Sequence, residues 1–165
     1  MSKRTRTQGP VIRREGQVQH TTTDQRLLAG KGDIAWVHTD PWRVMRIQAE
    51  FVEGFGTLAE LGPAIGVFGS ARTPKGSAIW QSGVEIGRAL AEAGYAAITG
   101  GGPGIMEAVN KGAAQAGGVS VGLVIELPFE QSLNEHVTLG INFRYFFARK
   151  VMFLKYSKGF VVMPG

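Results

Sequence analysis

A glycine-rich turn with the sequence TGGGPGIME occupies residues 99–107 of this 165-residue chain. It follows an apolar, strand-like run at residues 95–98 and precedes a helix-like run at residues 105–116. A glycine-dense turn between a strand and a helix presents unpaired N–H groups at the positive end of the helix dipole, where they bind phosphate. Glycine also lets the backbone approach a ligand closely and adopt positive φ. The turn therefore predicts a site for a phosphorylated small molecule, with a nucleotide as the first candidate.

Apolar runs and helical periodicity alternate on both sides of this turn. Strands are predicted at residues 64–68, 95–99, 119–125, 137–143 and 159–163, and helices at residues 41–61, 77–93, 105–116 and 144–156. Such alternation is typical of βαβ units, and the near-continuous apolar strands indicate a sheet covered on both faces. We therefore predict an α/β fold: a Rossmann-like, doubly wound and mainly parallel sheet preceded by an N-terminal helix.

The domain organisation follows from charge and composition. Residues 1–31 carry seven basic and two acidic side chains, whereas the rest of the chain carries eleven of each. We predict a disordered basic tail over residues 1–32, an amphipathic helix over residues 40–62 and the nucleotide-binding core over residues 63–165. The tail is either a solvated leader or a segment that contacts nucleic acid. The hypothesis of a DNA-handling module that uses the tail remains an alternative, although a nucleic-acid partner is not the favoured interpretation.

Several function classes receive no support from composition. The chain has no cysteine, which fits a reducing compartment, so we expect a cytoplasmic protein. No apolar run reaches the roughly 18–20 residues that span a bilayer, so no membrane partner is expected. The histidines at positions 20, 38 and 136 are scattered without metal-ligand spacing, so we expect neither a metal nor a cofactor.

Three turns are predicted to meet at the carboxyl ends of the strands, where open α/β sheets bind ligands. The candidate phosphate- and ribose-binding residues in them are Gly69, Ser70, Ala71, Arg72, Gly101, Gly102, Gly104, Ile105, Met106, Glu107, Pro164 and Gly165. Among the acidic residues, Glu107 opens a helix, where a carboxylate either complements the dipole or takes part in catalysis. Glu126 and Glu130 are weaker candidates for ribose hydroxyls.

The glycine turn departs from two common nucleotide-binding patterns. A dinucleotide site places G-x-G-x-x-G after the first strand, but the first turn here reads Gly69-Ser70-Ala71-Arg72. A P-loop requires a lysine after its last glycine, and none follows Gly104. An NAD-dependent oxidoreductase is therefore disfavoured. The alternative to a ligand-binding role for so many glycines is that they only allow close packing.

A second group of candidate residues lies on the last predicted helix. Arg144, Arg149 and Lys150 alternate there with aromatic residues, and Arg149 is spaced to neighbour Phe146 and Phe153 on the helix surface. An arginine so placed can hold a phosphate or carboxylate through two hydrogen bonds. The alternative is a surface cation whose aliphatic stem covers apolar area.

These segments together resemble the LOG family, the cytokinin riboside 5′-monophosphate phosphoribohydrolases. The resemblance rests on the turns at residues 69–72 and 99–107, on LPFEQ at residues 127–131, and on residues 143–153 followed by VMPG at residues 162–165. It covers residues 42–165 and is to the longer bacterial form. It implies that the protein hydrolyses the N-glycosidic bond of an AMP-like nucleoside 5′-monophosphate, releasing base and ribose 5-phosphate, and that it works as a homodimer.

The resemblance also implies roles for particular residues. Arg149 matches the catalytic arginine of the family's R-K pair, and Lys150 completes that pair as a binding residue. The family's second motif, P-G-G-x-G-T-x-x-E, begins here as Pro164-Gly165 without its glutamate, so we expect C-terminal elements of the core to be missing, poor turnover and an uncovered apolar sheet face. Asn134-Glu135-His136 also departs from the N-P-Y common in relatives. A noncatalytic nucleotide or cofactor carrier, similar in fold to molybdenum cofactor carrier proteins, stays open as the alternative.

Overall fold

The computed structural model describes residues 5–8, 11–14, 41–126 and 133–165. Its helices are α1 (Pro41–Leu58), α2 (Ala78–Glu92), α3 (Ile105–Gln115) and α4 (Phe146–Tyr156). Its strands are β1 (Thr5–Gln8), β2 (Val11–Arg14), β3 (Ala64–Phe68), β4 (Ala96–Thr99), β5 (Ser120–Ile125), β6 (Leu139–Phe143) and β7 (Ser157–Val162). Every element from α1 onward corresponds to one predicted from the sequence, with its ends shifted by a few residues at most.

Strands β3 to β7 form a parallel sheet with the order β6-β5-β4-β3-β7. The chain moves outward from β3 through β4 and β5 to β6, and then returns to place β7 on the other side of β3. The predicted α/β, Rossmann-like fold is therefore confirmed. Ligands in such sheets bind beside the carboxyl ends of the strands, near the point where the strand order reverses, and here that point lies between β3 and β7.

Two apolar clusters cover the two faces of the sheet. One joins Leu58, Phe143, Tyr145 and Met152 to the strands, so α1 and α4 lie on this face. The other contains Val67, Ile105, Val109 and Ala113, so α3 lies on the opposite face. Side chains of the edge strand β7 are less well covered: Phe160 is 45% and Val162 is 78% exposed.

Helix α2 begins and ends at residues suited to those positions. The side chain of Ser77 accepts a hydrogen bond of 3.2 Å from the N–H of Trp80, as an N-cap does. Beyond the helix, Gly94 takes a positive φ of 79°, which glycine adopts without strain.

Helices α2 and α3 lie so close that glycine is required on both. A Cβ atom on Gly87 would overlap the carbonyl oxygen of Val109, and one on Gly112 would overlap the carbonyl oxygen of Val84. Both groups in the path belong to the backbone, so a small side-chain adjustment cannot make room. This close contact holds α3, and with it the glycine turn, at a fixed distance from α2.

The structure differs from the prediction near the N-terminus. The segment 1–32 is predicted to be disordered, but β1 and β2 pair antiparallel, with Thr5 opposite Arg14 and Gln8 opposite Val11. The β-branched residues in these strands favour extended backbone, a preference that a composition-based prediction of disorder does not weigh. The remainder of the predicted tail lies outside the described residues.

None of the helices in the described part of the chain combines the length and apolarity needed to cross a bilayer.

Candidate functional site

The turns after β3 and β4 lie directly against each other at the carboxyl edge of the sheet. The N–H of Ile105 donates a hydrogen bond of 3.0 Å to the carbonyl oxygen of Ser70. Gly104 has a φ of 69°, and a Cβ atom there would overlap that same carbonyl group. The structure thus brings together the predicted residues 69–72 and 101–107, because only glycine at position 104 permits so close an approach.

Some amides of the glycine turn are already engaged within the protein. The N–H of Gly101 donates to Thr99 Oγ1 over 3.0 Å, and that of Ile105 donates to Ser70. The expectation that these two amides contact phosphate is therefore corrected: both serve to shape the turn. In the described residues, the N–H groups of Gly102, Gly104 and Met106 have no hydrogen-bond partner, so these three remain the candidate anion donors.

A buried polar network supports the glycine turn from below. The hydroxyl of Thr99 donates to Asn110 Oδ1 over 2.6 Å, and Asn110 Nδ2 donates to Ser120 Oγ over 2.8 Å. Asn134 Nδ2 lies 3.0 Å from the carbonyl oxygen of Gly101 and 3.1 Å from that of Gly102. Thr99 ends β4, whereas Asn110 and Asn134 come from α3 and the segment before β6. Neither asparagine has a role predicted from the sequence, because hydrogen bonds between residues so distant along the chain leave no local pattern.

We predict that Asn134→Ala loosens the turn. The substitution removes the side-chain donor to the carbonyl oxygen of buried Gly102, whereas the carbonyl oxygen of Gly101 keeps the backbone N–H of residue 134. Leaving a buried carbonyl group unpaired costs about 1–3 kcal/mol. Chemical denaturation should therefore show a free energy of unfolding lower by that amount. Asn142→Ala is the matched control, because Asn142 is exposed on β6. Equal stability of the two variants would mean that Asn134 does not hold the turn.

Arg149 lies over the glycine turn and is held in place from three sides. Its Nε donates a hydrogen bond of 2.6 Å to the carbonyl oxygen of Leu123. Its Cζ lies 5.6 Å from the ring centroid of Phe146 and 5.3 Å from that of Phe153. A Cβ atom on Gly100 would come within 2.7 Å of Nη2, so glycine at this position makes room for the guanidinium.

The charge of Arg149 has no carboxylate opposite it within residues 41–126 and 133–165. Burial lowers the pKa of Arg149, but a guanidinium has so high a pKa that it stays charged in a protein. Burying a cation without a counter-ion costs free energy, and a bound anion would offset that cost. The guanidinium and the free amides of the turn together form an arrangement that suits a phosphate or carboxylate.

The remaining predicted residues occupy different positions around this arrangement. Arg72 and Lys150 are exposed, and Lys150 Nζ lies 4.8 Å from the ring centroid of Phe146. Pro164 and Gly165 are exposed beyond β7, whereas Glu126 is buried beyond β5. The LPFEQ segment, including Glu130, lies outside the described residues.

Glu107 is buried and paired. Lys75 Nζ donates to its carboxylate over 2.6 Å, and this hydrogen bond raises the pKa of Lys75. Glu107 also brings an oxygen within 4.8 Å of one ligand atom each from Glu135 and His136, a grouping that the spacing of these residues in the sequence does not predict. Because the Lys75 ammonium already neutralises Glu107, we assign no metal to this group.

The architecture and the turns define a Rossmann-like α/β protein with a glycine-rich turn at the carboxyl edge of its sheet. The chain belongs to the SLOG cluster4 family, whose model matches residues 62–165. A comparison with curated proteins returns no match.

Solved structures similar to this chain agree with the fold. The structure titled TM1055 is 26% identical with a TM-score of 0.54, over 62% of this chain and 61% of that one. The molybdenum cofactor binding protein from the phototrophic bacterium Rippkaea orientalis is 23% identical with a TM-score of 0.53, over 62% and 63% of the two chains. The molybdenum cofactor carrier protein of Chlamydomonas reinhardtii is 28% identical with a TM-score of 0.51, over 61% and 62%. This chain thus spans about three fifths of the length of these proteins.

Proposed function

We propose that this protein binds a nucleotide-like ligand by its phosphate at the glycine turn and acts as a carrier for it. The observation that carries the proposal is the Arg149 guanidinium, which is half-buried beside the turn and lacks a carboxylate partner among the described residues. The amides of Gly102, Gly104 and Met106 add donors at the positive end of α3. A phosphate placed there receives both a charge and directed hydrogen bonds.

Two considerations favour a carrier over a hydrolase. Cleavage of an N-glycosidic bond builds positive charge on the ribose, so the catalyst needs a carboxylate near that carbon. The carboxylate nearest the turn in sequence, Glu107, is bonded to Lys75 and sits at the start of α3. The similar solved structures include proteins titled as carriers of the molybdenum cofactor, which supports a cargo of that general kind.

A phosphoribohydrolase is the second candidate. The motif order resembles the LOG family, and Arg149, which that resemblance makes the catalytic residue, lies against the turn at Gly100. In this reading the arginine orients the ribose phosphate, and a carboxylate outside the described residues acts at the glycosidic bond. A cytoplasmic homodimer, as the resemblance implies, is part of this reading.

The two functions predict different results with the same probe. Isothermal titration with AMP should show saturable binding, and adenosine should bind at least about tenfold more weakly because it lacks the group that Arg149 and the amides hold. Chromatography of the same mixture should show AMP unchanged if the protein is a carrier. Release of adenine in proportion to protein and time would instead establish the hydrolase. Equal affinity for AMP and adenosine would contradict phosphate binding in either form.

A further inference from the structure

Helix α1 lies outside the stretch matched by the family model, yet it contacts the beginning of the helix that carries Arg149. The match starts at residue 62, and α1 ends at Leu58. Glu50 of α1 accepts a hydrogen bond of 2.7 Å from the N–H of Arg144 and one of 3.1 Å from the N–H of Tyr145. A single carboxylate therefore holds the two peptide groups at which α4 begins.

Helix α4 has no cap of its own to do this. Its N-cap residue, Tyr145, makes no side-chain hydrogen bond to the helix. In a capping box, a glutamate or glutamine at the third helical position reaches back to the N–H of the N-cap residue. That position in α4 is Ala148, which carries no acceptor. Glu50 supplies the missing acceptor from a different helix.

The hydrogen bonds continue from Glu50 to the site arginine. The N–H of Arg149 donates to the carbonyl oxygen of Tyr145 over 3.3 Å, and its Nε donates to the carbonyl oxygen of Leu123. Residue Tyr145 therefore joins Glu50 through its N–H and Arg149 through its C=O. A substitution at Glu50 would therefore displace Tyr145 first and Arg149 through it, although Glu50 itself does not contact the ligand.

The surroundings of Glu50 disfavour a charged carboxylate that accepts no hydrogen bonds. Burial raises the pKa of Glu50, and the nearby Glu126 acts in the same direction. The two backbone hydrogen bonds and the charge of Arg144 act the opposite way. A half-buried acid in this position is tolerated only because those N–H groups satisfy it.

We propose that Glu50 is a positioning residue, which fixes the start of α4 and thereby holds the Arg149 guanidinium over the glycine turn. Its effect on ligand rests on the proposed function, whereas its effect on Arg149 does not. The helix that precedes the family domain is then part of the site's framework rather than an accessory.

The first test needs no ligand. Nuclear magnetic resonance of ¹⁵N-labelled protein measures how fast the Arg149 Nε–H exchanges with water. We expect slow exchange in the wild type, fast exchange in Glu50→Ala and an intermediate rate in Glu50→Gln, which keeps one acceptor oxygen. Glu53→Ala is the matched control, because Glu53 is an exposed glutamate on the same helix, and it should exchange as the wild type does.

The second test measures AMP affinity in a double-mutant cycle. Glu50→Ala should weaken binding about tenfold, and the loss should vanish in an Arg149→Ala background, because coupled residues are not additive. A merely structural role for Glu50 would weaken binding equally in both backgrounds, and that result would overturn the proposal.

The outcomes separate the two proposals. Wild-type exchange at Arg149 in Glu50→Ala overturns the positioning role, whatever AMP does. Fast exchange in that variant, together with wild-type protein that does not bind AMP, supports the positioning role and contradicts the proposed function. If Glu50→Ala does not fold, Glu50→Gln decides, and exchange and affinity equal to the wild type overturn the role.

Discussion

Arg149→Ala should weaken AMP binding at least about thirtyfold, the low end of the ~2–5 kcal/mol lost when one partner of a buried, hydrogen-bonded charge pair is truncated. The guanidinium is half-buried, is held by Leu123 and is without a carboxylate partner in the described residues. A bound phosphate would therefore lose its principal counter-charge, and the remaining amides would not replace it. Isothermal titration of the variant with AMP measures the loss.

Lys155→Ala is the control for this substitution. Lys155 is an exposed cation on the same helix, so its removal changes the net charge equally without touching the turn. Its affinity for AMP should equal that of the wild type at moderate salt. An Arg149→Ala variant that binds as tightly as Lys155→Ala would show that the phosphate lies elsewhere.

Gly112→Ala should destabilise the protein more than Asn134→Ala or either substitution at Glu50. The new methyl group would meet the carbonyl of Val84 in α2, which is backbone and cannot rotate away. We expect a cost of at least about 3 kcal/mol, at the upper end of the range for overpacking, because the helices must separate. Calorimetry should show a Tm lower by roughly 6–12 °C for a chain of this size.

Gly56→Ala is the matched control, because a Cβ atom on Gly56 in α1 would meet nothing within 4 Å. It should leave stability unchanged or raise it by up to about 1 kcal/mol, since alanine is the better helix former. If Gly112→Ala were as stable as Gly56→Ala, the close contact of α2 with α3 would not be needed for the fold.

Much of the fold could be predicted because its signals are local. Apolar runs such as residues 64–68 and 119–125 indicate strands by themselves. Gly104, placed between β4 and α3, marks a tight turn whether or not its neighbours are known. The same local signals placed Arg149 on a helix beside two aromatic residues, as the structure has it.

The supports of the site could not be predicted in this way. Asn134 reaches the glycine turn, and Glu50 reaches the start of α4, across long stretches of chain. Glu50 belongs to no motif, and Asn134 stands only at the start of a segment that departs from the N-P-Y of relatives. An asparagine or glutamate on a surface looks the same in sequence as one that donates or accepts two hydrogen bonds.

The order of strands and helices along the chain and the need for glycine at the turn were predictable from the sequence, because each depends on neighbours a few positions away. The role of Arg149 in binding stays a prediction. Which amides of the turn stay available, which carboxylate is neutralised and what holds the arginine depend on the folded molecule alone. The carbonyl oxygen of Ser70 accepts a hydrogen bond from the N–H of Ile105, and the ammonium group of Lys75 neutralises the carboxylate of Glu107. Such pairings arise only when the parallel sheet brings the ends of its strands to one edge, so no linear pattern encodes them.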